Sequence, residues 1–180
     1  MSEKSPATIK HEILESLEKE YTENGIPAKL APKNDNGTEV LGMVLNDAAV
    51  KGQDAIGEFF FLPHTDDAEA FFFVNLFTLS EELSDKNIGE LSTAVAAINT
   101  YIMAGSFAID YSAGALVYKH AYEISVEYET DDEIIKECVD ISMGTAFMTV
   151  DEYGHLLLEI NDGKKTAKEV LGIFLDRIYK

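Results

Sequence analysis

Apolar and polar positions recur with different periods along this chain, and the period assigns most of its elements. Ser5 followed by Pro6 reads as a cap with proline at the first helical position, and Ile9, Ile13, Leu14, Leu17 and Tyr21 then share one helical face. Asn24-Gly25 and Pro27 stop that helix. From Ile26 to Gly57 the pattern loosens, with a turn at Asn34-Asp35-Asn36-Gly37, a strand from Val40 to Leu45, and loop from Ala48 to Asp54. In EFFFLPHTDDAEAFFFVNLFTLS, Glu58 to Ser80, phenylalanine runs flank a short polar loop. That spacing predicts an antiparallel hairpin from about Ile56 to Leu62 and Ala70 to Leu79, with Leu62 opposite Ala70 and Phe60, Phe61 and Phe59 facing Phe72, Phe71 and Phe73. Side chains alternate along a strand, so Phe59, Phe61, Phe71, Phe73 and Phe77 fall on one face and Phe60, Phe72, Val74 and Leu76 on the other. Burying each ring is worth roughly 1.5–3 kcal/mol, so both faces call for a cover.

Downstream, Asn87 with Glu90 predicts a capping box, and Leu91, Val95, Ile98 and Ile102 mark a second amphipathic helix that Gly105 closes. Phe107, Ile109 and Tyr111 alternate in a short strand, a turn follows at Ser112-Ala113-Gly114, and a longer strand runs from Leu116 to Glu127. One of its faces reads Leu116, Tyr118, His120, Tyr122, Ile124, Val126 and is core; the other carries Lys119, Glu123 and Glu127 and is solvated. Thr130 and Glu133 form a capping box for a helix that continues to about Ile160, with a break anticipated at Gly144 or Gly154. Asn161-Asp162-Gly163 ends it, and Thr166 with Glu169 opens a last helix bearing Val170, Leu171, Phe174, Leu175 and Ile178. The expected fold is therefore α+β: a five-stranded antiparallel sheet with helices packed on it, in the order α-β-β-β-α-β-β-α, plus an additional C-terminal helix.

The 180 residues suit one domain, with residues 164–180 as an added helix. The formal charge of -19, from 33 acidic residues against 14 Lys and Arg, repels phosphate backbones and anionic lipid, so neither nucleic acid nor membrane is an expected partner. Basic or amphipathic proteins, or cations, are favoured. The single cysteine, Cys138, fits a reducing compartment, and the N-terminal segment has no signal-peptide core, so a cytoplasmic location is expected. The longest apolar run, around Ala70 to Leu79, is about half of what a membrane-spanning helix needs.

Candidate chemistry is sparse. His11-Glu12-Ile13-Leu14-Glu15 has glutamate where a zinc-protease helix has its second histidine, and reads as a solvated pair. Pro63-His64-Thr65-Asp66-Asp67 offers an imidazole and carboxylates, in a loop whose residues are chiefly turn formers. Placing Gly37 at the sixth position of a calcium loop puts Pro32 and Met43 where carboxylates belong. Gly163-Lys164-Lys165-Thr166 lacks the upstream glycine of a phosphate loop. Cys138 reads as a buried structural thiol, and His120 as a core histidine bonded to a neighbour, with pH sensing as an alternative. No serine elbow, dinucleotide fingerprint or cysteine cluster is present, so no catalytic residue, cofactor or metal is assigned.

The order of elements in a small acidic chain resembles the type III secretion chaperone fold. Within it, Ala97-Ile98-Asn99-Thr100-Tyr101-Ile102-Met103-Ala104-Gly105-Ser106-Phe107-Ala108-Ile109-Asp110 and then Gly114-Ala115-Leu116-Val117-Tyr118-Lys119 resemble the YbjN family, described as proposed bacterial sensory transduction regulators. The shared pattern is an asparagine-bearing helix end, a glycine, a short strand ending in aspartate, a glycine turn, and a strand with a tyrosine and a basic residue. The resemblance spans roughly residues 7–160. It implies a non-enzymatic, chaperone-like or regulatory module that binds a protein client or pairs as a homodimer, and it brings no catalytic residues. Phe59, Phe61, Phe71, Phe73 and Phe77 are the candidate partner-binding set, with the opposite face of the hairpin as the other choice. Two other readings stand beside this one. An apolar pocket between sheet and helices, gated near His64 and Asp66, would make the chain a small-ligand binder or an enzyme. A structural homo-oligomer would dock the last helix on a neighbour through Leu171, Phe174 and Ile178.

Overall fold

The computed structural model describes residues 4–34, 36–47, 53–63, 70–126 and 131–178. Helix α1 (Pro6–Glu23) starts at the expected cap: Ser5 is extended, and its Oγ accepts from the Thr8 N–H at 3.2 Å. Strands β1 (Ala28–Ala31), β2 (Val40–Leu45), β3 (Ala55–Phe61) and β4 (Ala70–Ser80) follow. Next come helix α2 (Ile88–Ile98), β5 (Ser106–Asp110) and β6 (Ala115–Ser125). Helix α3 (Asp132–Thr149), a π turn (Val150–Gly154), α4 (His155–Asn161) and α5 (Ala167–Ile178) complete the chain.

The fold is α+β, with an open antiparallel sheet of order β1-β2-β3-β4-β6-β5. The expected five strands are thus six. The additional one, β1, reads AKLA and is half-buried and exposed by turns, so its apolar alternation is too weak to stand out. Backbone pairing with β2, from Ala28 opposite Met43 to Ala31 opposite Val40, defines it instead. The hairpin register also differs from expectation. The Leu62 N–H donates to the Phe72 carbonyl at 2.9 Å, which puts those residues opposite each other, two positions from the Leu62–Ala70 pairing. A slip of two preserves the face of every side chain, whereas a slip of one would invert them all.

The chain forms two compact units. One comprises Met1–Leu45, Ile56–Leu76 and His120–Thr145. Its core takes Ile13, Leu14 and Leu17 from α1, Leu41 and Met43 from β2, the rings of Phe59, Phe61, Phe71 and Phe73, and Ile135, Val139 and Met143 from α3. Phe61 meets Phe71 and Phe73 edge-on, with ring centres 5.9 and 5.0 Å apart, the geometry that the ring quadrupole favours. Lys4 joins the ends of two helices by bonding Glu12 at 2.6 Å and Asp132 at 2.7 Å.

The other unit comprises Asn46–Ala55, Phe77–Lys119 and Ala146–Lys180. Phe77 and Phe107 pack against Tyr118, and Leu91, Val95 and Ile98 of α2 are buried with Leu156, Leu157, Ile160 and Val170. The α-helix passes through Gly144 unbroken, and a π turn over Val150–Gly154 interrupts it at Gly154, the other position where a break is anticipated. The Asn87–Glu90 capping box does not form. Asn87 Nδ2 donates to the Asn161 carbonyl at 2.9 Å, and Glu90 accepts the Ala167 N–H at 2.8 Å, capping α5 instead of its own helix. The capping box at Thr166 and Glu169 forms as the sequence predicts, with bonds of 2.8 and 3.3 Å. Thr130 lies outside the described residues; Asp131 takes the capping role, accepting the Glu133 N–H at 3.1 Å.

Candidate functional site

Sheet alternation divides the phenylalanines as expected, and the two faces have different fates. Phe59, Phe73 and Phe77 are 0 % exposed, Phe71 2 % and Phe61 4 %. Lys10 of α1 holds its ammonium 4.6 Å from the centre of the Phe71 ring, and Phe77 meets Phe147 of α3 edge-on at 5.3 Å. The chain's own helices therefore cover the proposed partner-binding set, and a partner would reach it only by displacing them.

The opposite face, within the first unit, is the more accessible. Val44 and Ile56 are 40 % and 44 % exposed, and Phe60, Phe72 and Leu76 are half-buried around a fully buried Val74. Ala121 and Glu123 of β6 extend the same face and are exposed. The result is a largely apolar face on which Glu58 stands between Ile56 and Phe60, with Glu123 exposed on β6.

Between the sheet and α3 lies a buried polar cluster. Asn75 Nδ2 donates to Ser142 Oγ at 2.8 Å and to the His120 carbonyl at 3.4 Å. Asn75 and Ser142 are 0 % exposed and His120 7 %. Burial pushes the His120 imidazole below its ordinary pKa, and a bond to the Ser142 backbone only partly opposes this. Among the described residues His120 Nδ1 and Asn75 Oδ1 have no hydrogen-bond partner.

The fold has a weak likeness to a solved structure. The crystal structure of YbjN from E. coli, a proposed transcription regulator, is 12 % identical over 78 % of this chain and 90 % of that one, with a TM-score of 0.43. No family model and no curated protein matches.

The remaining candidates divide by how their polar groups are used. His11 keeps its side chain 45 % exposed, as a solvated residue does, and its Nδ1 lies 3.1 Å from Glu39 of the neighbouring strand region. Asn34 Oδ1 accepts the Asn36 and Thr38 N–H groups, both at 3.0 Å, so the calcium-like loop is a side-chain-capped turn. Lys164 and Lys165 pair with Asp162 and Glu159 at 2.7 and 2.6 Å. Cys138 is half-exposed on the outer side of α3, not buried as expected, because Ile135 and Val139 turn inward on either side of it. His64 and Asp66 lie outside the described residues. Among the described residues no helix is long and apolar enough to cross a membrane.

Sequence reading missed Asn75, and met Asn99 only as the asparagine of the YbjN-like pattern. Asn75 lies between Val74 and Leu76, and its only signal is a polar residue on the otherwise aromatic face of β4. Such a residue needs an internal partner, and the partner, Ser142, comes from a helix far away in sequence.

Proposed function

We propose that the chain is a non-enzymatic protein-binding module, chaperone-like or regulatory, whose partner is a protein client or a second copy of itself. The supporting observation is the largely apolar face formed by Val44, Ile56, Phe60, Phe72 and Leu76, which α1 and α3 leave to solvent while they cover the other. Accessible apolar side chains gathered on one face mark interaction sites on otherwise charged proteins, and here they belong to a chain of net charge -19. This is also the role that the YbjN resemblance implies.

The test is a double substitution, Phe60→Ser with Phe72→Ser, compared with wild type by circular dichroism, light scattering and affinity capture. The expected variant stays folded but loses a dimer, or a captured protein that wild type retains. Unchanged association would exclude this face, and an unfolded variant would assign the rings a structural role alone.

A further inference from the structure

Strand β6 is longer than the strand beside it. The ladder with β5 runs from Asp110 opposite Ala115 to Ser106 opposite Lys119, and β6 then continues to Ser125. Among the described residues no strand continues the sheet on that side. The direction of the backbone groups follows from Asn99, whose side chain bonds both the N–H and the C=O of Phe107 at 2.9 and 2.8 Å. Phe107 therefore points away from β6, so the flanking pairs, Ala108 with Val117 and Ser106 with Lys119, carry the ladder bonds. Odd-numbered residues of β6 thus aim their backbone groups toward β5, and beyond Lys119 those of Ala121, Glu123 and Ser125 aim past its end. Even-numbered residues face β4, consistent with the His120 carbonyl accepting from Asn75.

An apolar wall stands beside this edge. Ile135, Val139 and Ser142 of α3 face the sheet over β4 and β6, and Lys136 reaches sideways to Glu20 of α1 at 3.3 Å. Ile134, Cys138 and Ile141 lie roughly 140–160° around the helix from Lys136, on the flank away from α1 and toward the β6 edge. Ile134 and Ile141 are each 53 % exposed, Cys138 is half-exposed, and Tyr122 is half-buried on the helix side of β6.

We propose that the β6 edge from Ala121 to Ser125, with the Ile134–Cys138–Ile141 flank of α3, accepts an extended segment of a partner protein as an added strand. The outward N–H and C=O groups, with no strand beside them among the described residues, select a polypeptide in extended form, and the flank selects apolar side chains at alternate positions. Charge selects the rest. Glu123 and Glu137 are exposed around the site, and Lys136 is turned away in ion pairs with Glu20 and Asp140. The intervening positions of the partner are therefore lysine or arginine. A second copy fits poorly, since two-fold pairing of β6 would bring its acids against themselves in a particle of twice the net charge.

The probe is a synthetic extended peptide alternating valine with lysine, measured by fluorescence anisotropy against the full chain. Saturable binding is expected, falling at least about tenfold when alternate peptide amides are N-methylated or lysine is replaced by glutamate. Glu123→Pro removes an N–H that faces out of the sheet, a position where an edge strand tolerates proline, and should weaken binding by a similar factor without shifting the melting temperature. Should Glu123→Pro fail to fold, Ile141→Asp, at an exposed helix position, gives the same readout. Absence of saturable binding, or equal binding of the N-methylated peptide, overturns the proposal. So does a wild-type dimer that Glu123→Pro converts to monomer, which would assign the edge to a second copy. Phe60→Ser should leave peptide affinity unchanged, so failure here and failure of the open-face reading are distinguishable.

Discussion

Asn99, at the end of α2, grips Phe107 of β5 by both backbone groups, accepting its N–H at 2.9 Å and donating to its carbonyl at 2.8 Å. The side-chain amide stands where a further strand would pair, so a single residue closes part of an edge and ties helix to sheet. Asn99→Ala should cost about 1–3 kcal/mol, because both groups of a residue whose side chain is buried lose their partner. Chemical denaturation measures the loss. Asn99→Asp separates the two bonds: it keeps the acceptor for the Phe107 N–H and loses the donor, so it should fall between wild type and alanine.

Gly105 should be intolerant of any side chain. Its φ is +68°, and a Cβ would overlap the Tyr118 hydroxyl and come within 2.7 Å of the Lys119 carbonyl. Tyr118 is fully buried and donates to the Ala104 carbonyl at 2.8 Å, so it has no room to yield. Gly37 has a similar φ of +77° with nothing within 4 Å of its Cβ position, and supplies the control. Alanine at Gly37 should cost about 1–2 kcal/mol of backbone strain alone, and alanine at Gly105 distinctly more. Equal losses in thermal melts would mean that the Tyr118 packing is looser than the structure shows.

Elements whose apolar period is intact are legible in the sequence: α1, the β3–β4 hairpin, β6 and the Thr166–Glu169 start of α5. β1 is not, since a short edge strand is held by backbone bonds that place no demand on its side chains. Asn87 and Glu90 show a different limit. Their spacing is that of a capping box, but Asn161 and Ala167 compete for the same groups, and a local pattern does not register competitors from a distant helix. The face assignment of the phenylalanines follows from alternation alone, whereas which face the helices cover depends on where Ile13, Leu14, Leu17, Ile135 and Val139 pack, and a strand pattern is symmetric in that choice.

His120 gives stability a pH dependence whose sign follows from its environment. Its folded-state pKa is depressed by burial, so as pH falls below about 6.5 the unfolded chain takes up the proton first. This contribution is fully present above the unfolded pKa and is lost as pH falls through the folded one. The lowered carboxylates of Glu18, Asp110 and Glu169 add their own loss only at lower pH, near and below the ordinary carboxylate range. Urea midpoints at about pH 7 and about pH 5 should therefore fall further apart in wild type than in His120→Gln. Equal differences would show that His120 meets no greater penalty for protonation in the fold than out of it.

Phe73 and Phe72 are neighbours on β4 that face opposite sides of the sheet, so truncating each reports what its face is for. Phe73 is fully buried with its ring 5.0 Å from Phe61, and Phe73→Ala opens a cavity in the core that should cost about 3–5 kcal/mol. Phe72 is half-buried, and Phe72→Ala removes only the part of the transfer energy that the folded chain has gained, about 1–2 kcal/mol. The ratio is read in the isolated protein by urea denaturation. Adding a bound partner should enlarge the Phe72 effect and leave the Phe73 effect nearly constant, because ligand binding stabilises only through contacts that the folded state offers it. A Phe72 effect as large as that of Phe73 in the free protein would mean that the outer face is already closed by the chain itself, and would remove the ground for a docking strip there.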